Sequence, residues 1–318
     1  MPDKPLKVRL RQIRLEAQDI VSLELVAAQG GALPAFTAGA HIDFLLPGEK
    51  IRSYSLINDP AETHRYVVAV LREPEGKGGS VWLHDRPRVG DVLEIHPPVN
   101  DFALAADAAE SVLIGGGIGI TPLMAMVRQL DREGRSWRLH LAARSPQHAV
   151  FLDELRALDA GRGRLTLHCG AEDQSRMDLA QVVANAPAGA HFYCCGPARM
   201  IDAYQSACTQ LPPERVHLER FAAASEAATA GGFELVLQRS GQRIAVMPGK
   251  TILDALLDQG VSVQYACSAG VCGTCMTGVI EGEPDHRDEY LTEEERSANR
   301  HIMICCSGSK SPTLVLDL

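Results

Sequence analysis

The sequence is short of uninterrupted apolar stretches, of basic charge and of an apolar leader. No stretch of its 318 residues reaches the ~18 consecutive apolar positions that a membrane-spanning helix needs. The nearest, residues 112–127, is broken by four glycines and one proline, and reads as strand, turn and helix. A net charge of −9 argues against a nucleic-acid partner, whose phosphates demand a basic patch. Negative charge favours solubility and leaves room for an acidic face that meets a basic protein. The first residues, MPDKPLKVRLRQIRLEAQ, carry charges without an apolar centre. The expectation is a cytoplasmic protein without an export signal or membrane contact. No internal repeat is visible. With nine cysteines in a reducing compartment, metal or catalytic roles outrank disulfides.

A chain of 318 residues is too long for one typical core, and its composition changes twice. Residues 1–106 hold short β-type runs at 6–15, 19–27, 41–46, 53–56, 66–71 and 92–96, separated by turn residues. Such spacing suggests a small antiparallel barrel. Residues 107–224 alternate strand-like and helix-like segments, with strands predicted at 111–114, 138–143, 165–169 and 191–195. The helices between and after them are predicted at 122–133, 151–158, 179–184 and 197–210. That alternation implies a parallel sheet covered on both faces. The small, polar, Gly-terminated segment 222–232 reads as a linker, centred on 225–232, or as a short Ala-rich helix. Residues 233–318 form the third block. It opens with a predicted hairpin around Ser240-Gly241, and Thr251 is placed to cap a helix that runs to Asp258. Thr292 and Glu295 fit a capping box.

The third block carries the most specific motif, Cys267-x4-Cys272-x2-Cys275 with a distant fourth cysteine. This is the spacing of a plant-type [2Fe–2S] site. Two bridging sulfides leave each iron needing two thiolates, so four cysteines must converge, three of them on one loop. Gly270 and Gly273 let that loop pass close to the cluster and turn amide N–H groups toward its sulfurs. Twenty-nine residues separate Cys275 from Cys305, the expected fourth ligand. Cys306 is the alternative; on a strand over 301–305 it would face the opposite side. A zinc site would pair C-x2-C with another such pair or with histidines, and here the second half is a Cys-Cys dipeptide. Cys169, Cys194 and Cys208 read as core residues.

Two junctions in the second block suit a nucleotide. Residues 115–122 read GGGIGITP, after a predicted strand and at the start of a predicted helix. Free N–H groups and a positive helix end there favour a pyrophosphate. Thr121 is expected to cap that helix, with Pro122 in its first turn. Ile120 stands where the last Gly of G-x-G-x-x-G belongs, so the ordinary dinucleotide fingerprint is excluded. Tyr193-Cys194-Cys195-Gly196-Pro197 makes the second junction. Two of them in one parallel sheet frame a crevice at the strand ends. In the first block, strand alternation sends Arg52 and Tyr54 of RSYS to one face and Ser53 and Ser55 to the other. A guanidinium can clamp a phosphate and a ring can stack on a flat heterocycle. Gly76-Lys77-Gly78-Gly79-Ser80 offers N–H groups, a cation and a hydroxyl to a terminal phosphate.

Taken together, RSYS, GKGGS, GGGIGITP, YCCGP, ERF (219–221), CSAGVCGTC, EGEPDHRD (281–288) and MICCS (303–307) resemble the ferredoxin–NADP reductase superfamily. The chain is most similar to the phthalate dioxygenase reductase family, from about residue 5 to its end. The resemblance implies a multi-domain fold: an antiparallel β-barrel flavin domain, an α/β parallel-sheet nucleotide domain and an α+β β-grasp ferredoxin domain. It implies FMN held by Arg52, Ser53, Tyr54, Ser55, Lys77, Gly78, Gly79 and Ser80. Tyr54 would lie against the isoalloxazine and Ser55 near flavin N5. Gly116, Gly117 and Thr121 would line NADH, Cys195 and Gly196 would lie near the nicotinamide carbon, and Phe221 near the flavin face. Arg220 departs from the pattern, where a small residue is expected. Glu172 and Asp173 would suit a ribose 2′-OH, whereas Arg144 and Arg176 could pair with a 2′-phosphate. No catalytic acid or base is required, because the cofactors carry the redox chemistry. The implied partner of this monomer is a Rieske-type oxygenase; plant-type clusters, near roughly −400 mV, reduce Rieske centres downhill. The stretch 281–295, with eight carboxylates and one Arg, would face it. A stand-alone NADH-dependent reductase of small iron or dye acceptors and an iron–sulfur redox sensor are the alternatives.

Overall fold

The computed structural model describes the chain except residues 1–3, 49, 77, 171–176, 222–225 and 266. Lys77, Glu172, Asp173 and Arg176 therefore lie outside the described residues. The chain forms two compact units, Met1–Arg220 and Phe221–Leu318.

The first unit begins with β1 (Leu6–Ala17), β2 (Ile20–Ala27), β3 (His41–Leu46), β4 (Lys50–Ser55), β5 (Tyr66–Leu71), helix α1 (Gly79–Asp85) and β6 (Val92–Ile95). The strands pair antiparallel in the order β4-β3-β6-β1-β2-β5. A Leu56–Val68 bridge, with the Ile57 N–H donating to the Val67 carbonyl at 2.8 Å, joins the two ends. The sheet thus closes into a barrel and leaves no long free edge there. Alternation fills the interior: Ile42, Phe44 and Leu46 of β3 are buried with Leu10, Leu25 and Val68. Helix α1 is an addition to the sequence reading, which took 76–80 as a loop alone.

The same unit continues with β7 (Ser111–Gly116), α2 (Ile120–Arg132), β8 (Trp137–Ala143), α3 (Leu152–Asp159) and β9 (Leu165–Cys169). It ends with α4 (Leu179–Ala184), β10 (His191–Cys195), α5 (Ala198–Ala207) and β11 (Val216–Glu219). The five strands are parallel, in the order β11-β10-β7-β8-β9. Every residue of β7 and β10 is buried, as a sheet covered on both faces requires. Leu113, Leu139 and Leu141 pack with α2 and α3 on one face; Val112, Ile114 and Phe192 pack with Ile201 and Tyr204 of α5 on the other. The first of these cores also takes in Ile20, Ile57 and Ala69 of the barrel, which joins barrel and sheet into one unit.

The second unit contains β12 (Phe233–Leu237), β13 (Arg243–Val246), α6 (Ile252–Asp258), β14 (Met276–Glu281), β15 (Pro284–Asp285), α7 (Glu293–Ala298), β16 (His301–Met303), β17 (Gly308–Ser309) and β18 (Thr313–Leu316). Its main sheet runs β13-β12-β18-β14-β16, with β12 and β18 parallel, and β15 pairs β17 separately. Reciprocal capping boxes, Thr251 with Asp254 and Thr292 with Glu295, start α6 and α7. Ile252, Leu253 and Leu256 bury the inner face of α6, the helix grasped by this sheet. Residues 226–232 carry no helix, so the Ala-rich helix is not found in the described part of that segment.

Candidate cofactor sites

Strand pairing brings two of the four cysteines together. Met276 of β14 pairs with Met303 of β16, so Cys275, just before β14, and Cys305, just after β16, emerge at one end of the ladder. The Cys275 and Cys305 thiols lie within hydrogen-bonding reach of each other, as do those of Cys267 and Cys272. Backbone N–H groups already point at sulfur: Ala269 donates to Cys267 Sγ at 3.3 Å and Cys267 to Cys272 Sγ at 3.5 Å. Gly270 and Gly273 both adopt left-handed backbone, φ 74° and 76°. A Cβ on Gly273 would fall 2.3 Å from the Tyr290 ring, and one on Gly270 would fall 2.5 Å from Cys306 Sγ.

The expected strand over 301–305 is shorter. β16 stops at Met303, and a turn carries Cys305 and Cys306. The side of Cys306 is therefore set by the turn and not by strand alternation. Its sulfur lies 3.8 Å from the Met303 carbonyl and 3.7 Å from the Ser307 hydroxyl. Among the described residues, no three or more His, Cys, Asp or Glu side chains gather as a single-ion site would require. Sulfurs grouped two by two, 267 with 272 and 275 with 305, fit a two-iron cluster.

In the parallel sheet, β7 and β10 are neighbours although β8 and β9 intervene in sequence, so the strand order reverses between them. Cys195 is in register with Gly115. The two glycine-rich turns consequently touch. A Cβ on Gly119 would sit 2.3 Å from the Cys195 carbonyl oxygen, and one on Gly116 or Gly196 would sit 2.8 Å from the Met200 side chain. Such a switch point is where open α/β sheets bind ligands. Thr121 does not cap α2. A short 3-10 turn, Gly117–Gly119, starts the helix earlier, Gly119 is the N-cap, and the Thr121 hydroxyl donates to the Ile118 carbonyl at 2.9 Å.

Cys195 is wholly buried, and burial, with Glu219 and Cys194 adding, pushes its thiol well above the ordinary range. It packs as a neutral group. Sequence reasoning passed over Glu219, whose only sign was its place in ERF. Burial, reinforced by Asp101, raises its carboxyl to about 8, and its Oε2 is buried without a hydrogen bond. Arg220 folds back on α5, donating to Asp202 at 3.0 Å and Gln205 at 2.8 Å, which accounts for its departure from the expected small residue. Phe221 opens the second unit and is 43% exposed.

On the barrel, Arg52 and Tyr54 share a face with Phe44 and Ile42, as strand register dictates. The Arg52 side chain lies across Gly79, where a Cβ would fall 2.6 Å from its Cγ. The Glu73 N–H donates to Ser80 Oγ at 3.1 Å, and Gly78, the left-handed N-cap of α1, completes the turn. Burial pushes the Tyr54 hydroxyl up to about 12, with Arg52 opposing and Glu73 adding. Arg52 forms no ion pair among the described residues; its guanidinium donates to the Ile51 carbonyl at 2.6 Å. An unpaired cation over a glycine turn fits a phosphate-bearing flavin. Ser53 belongs to the other face, donating to Asp43 at 2.5 Å, and buried Ser55 alternates to that face with it.

Comparison with known proteins agrees with this geometry. Residues 235–309 match the 2Fe-2S iron-sulfur cluster binding domain, and residues 113–206 match the oxidoreductase NAD-binding domain. Over 99% of its length the chain is 52% identical to phenoxybenzoate dioxygenase subunit beta of Ectopseudomonas oleovorans, covering 98% of that protein. Over its full length it is 47% identical to tetrachlorobenzoquinone reductase of Sphingobium chlorophenolicum, covering 99% of it. The solved structure of phthalate dioxygenase reductase superposes with a TM-score of 0.85 at 38% identity, over 99% of this chain and 98% of that one. It is described as a modular structure for electron transfer from pyridine nucleotides to [2Fe–2S]. Fold and sites define a modular flavin and iron–sulfur oxidoreductase. The chain belongs to the phthalate dioxygenase reductase family, which uses FMN, NADH and a [2Fe–2S] cluster.

Proposed function

We propose that this chain is the reductase component of an oxygenase system, serving a Rieske-type terminal oxygenase with electrons drawn from NADH. The observation that carries the reading is the pairing of four cysteine sulfurs, two by two, on a chain that also holds a nucleotide crevice and an Arg52–Gly79 cradle. When bound, the three groups would supply the redox chemistry, two electrons taken in as one hydride and given out singly. The division of labour follows the sequence blocks: 1–106 for FMN, 107–224 for NADH, 233–318 for the cluster, with 225–232 as linker.

Arg52 holds the flavin phosphate with Gly78, Gly79 and Ser80, and Lys77 of the same sequence motif supplies a further cation. Tyr54, kept neutral, packs on the ring system. Gly116, Gly117 and Thr121 line the pyridine nucleotide; Cys195 and Gly196 leave room for it without offering a charge. Cys267, Cys272, Cys275 and Cys305 hold the cluster. No disulfide joins any of the nine cysteines, which suits a reducing cytoplasm. The reading takes the protein as a monomer. A relative named as a dioxygenase subunit supports the partner class.

Tetrachlorobenzoquinone reductase, at 47% identity, supports a second reading, a stand-alone reductase of small acceptors. Steady-state NADH oxidation by the holoprotein separates the two. Turnover of a Rieske oxygenase at a rate matching NADH consumption supports the first. Fast reduction of quinones or dyes with no oxygenase turnover overturns it in favour of the second.

A further inference from the structure

The acidic stretch 281–295 is not uniform. Seven of its eight carboxylates are at least partly exposed, and one, Asp288, has a side chain with no exposed surface. Asp288 Oδ2 accepts the backbone N–H groups of Leu291 at 2.8 Å and Tyr290 at 3.2 Å. Its Oδ1 accepts the fully buried Ser307 hydroxyl at 3.4 Å, and Ser307 Oγ itself accepts the Arg287 N–H at 3.0 Å. The next residue, Glu289, donates its N–H to the Gly270 carbonyl at 2.9 Å. Gly270 lies midway between ligands Cys267 and Cys272, and a Cβ there would fall 3.1 Å from Asp288 Cα. The carboxylate is thus built in directly behind the cluster loop. Through Tyr290 it also fixes the ring that covers Gly273 between Cys272 and Cys275. One cationic partner, Arg296, stands 3.9 Å from the carboxylate, is 37% exposed and also donates to the Asp288 backbone carbonyl at 2.5 Å, and the His286 ring lies 3.7 Å from Oδ1.

We infer that Asp288 is a positioning residue whose buried charge holds the reduction potential of the cluster low. The inference rests on the ligand assignment above. A buried anion is poorly screened, and each electron added to a cluster already carrying four thiolates adds negative charge beside it. Net charge near the cluster and solvent exposure are among the terms that set such potentials. Asp288 supplies the first directly and limits the second by holding Tyr290 in place.

The test is a spectroelectrochemical titration of the full-length holoprotein, with the EPR signal of the reduced cluster as second readout. D288N keeps the side-chain volume and removes the charge. It is expected to favour the reduced cluster at least tenfold, a rise of about 59 mV for a one-electron couple. S307A leaves the charge in place and is expected to change that equilibrium less than twofold. R296Q, which strips away a cationic partner, is expected to lower the midpoint. A D288N protein that keeps its cluster at the wild-type midpoint overturns the inference. Where D288N assembles no cluster, an unchanged or raised midpoint in R296Q overturns it. A wild-type protein without the EPR signal overturns the ligand assignment, and this inference with it.

Discussion

Gly119 is where the crevice can be tested most sharply. Its φ of −63° is helical, so backbone strain gives no reason for glycine. As an N-cap, glycine is only modestly favoured over alanine, so local propensity alone would make Gly119→Ala a mild change. Space decides otherwise. The new Cβ would fall 2.3 Å from the Cys195 oxygen, 2.5 Å from its carbonyl carbon and 2.7 Å from the Gly196 nitrogen. All three are backbone atoms, and Cys195 is held by strands on both sides, in register with Gly115 and Glu219, so the overlap cannot be relieved by a side-chain rotation. Overpacking of this kind costs ~1–3 kcal/mol or more. The net expectation is a loss of ~2 kcal/mol, or roughly 4–8 °C in Tm for a unit of this size. Pushing the two glycine turns apart should also raise the KM for NADH. Gly117→Ala is the control for stability alone: φ is +55° with no protein atom within 4 Å of its Cβ, so left-handed strain of ~1 kcal/mol is all the fold meets there. Calorimetry of both variants with NADH kinetics decides the matter. A Gly119→Ala protein at least as stable as wild type, with unchanged KM, would refute the contact between the turns.

Three further outcomes are expected. Cys305→Ser should abolish the visible absorption of the cluster while Cys306→Ser retains it; the reverse pattern would move the fourth ligand to Cys306. Arg52→Ala should lower FMN retained through gel filtration several-fold with the fold intact by circular dichroism, and wild-type occupancy at low FMN would count against the cradle. Glu219 gives stability a pH dependence. Its carboxyl is raised from 4.5 to about 8, so above pH 4.5 the unfolded chain ionises while the folded one keeps its proton. The stability it contributes is full below 4.5, declines as pH rises and is exhausted above about 8, a span worth a few kcal/mol at most, roughly 1.4 per pH unit. Glu219→Gln cannot ionise and should gain on wild type between pH 5 and pH 8 in urea midpoints, whereas a pH-independent difference would show that Glu219 ionises normally.

The strands that alternate or run wholly apolar were legible. β3, β5, β9 and β10 lie where the pattern placed them, because burial on one face or both leaves its period in the residues. α1 was not, since two glycines at its start argue for a loop while Leu83, with Trp82 packed beside it, turns inward only once the barrel is present. β11 escaped notice because VHLE is short and half-buried throughout. β14 and β18 carry no local signal that they adjoin; their pairing spans more than thirty residues and is set by sheet closure. At the sites, ligand spacing was readable because four thiolates impose it. Asp288 was invisible for the opposite reason: in sequence it is one of eight carboxylates, and only packing behind Gly270 separates it from the rest. Ser53 reads as a partner of Arg52 in RSYS, yet the pleat commits it to Asp43.

The nine cysteines show how one residue type is sorted by surroundings. Cys194, Cys195 and Cys208 have raised thiols chiefly because burial disfavours a charge, Cys194 to about 12, and nothing cationic approaches closely enough to reverse it. Such thiols stay protonated and inert. Cys272 and Cys275 are raised for a different leading reason: the thiol of Cys267 beside the first and that of Cys305 beside the second. Two thiolates held together repel until a cation lies between them. The fold therefore places its sulfurs where ionisation is costly alone and becomes favourable with iron, which couples cluster assembly to proton release. N–H groups from Cys267 and Ala269 already aimed at sulfur lower that cost further. Pairing sets these sulfurs apart from the wholly buried Cys195, whereas Cys306, whose thiol also lies within hydrogen-bonding reach of Cys305, is separated from the ligands by the spacing of the motif and not by pairing.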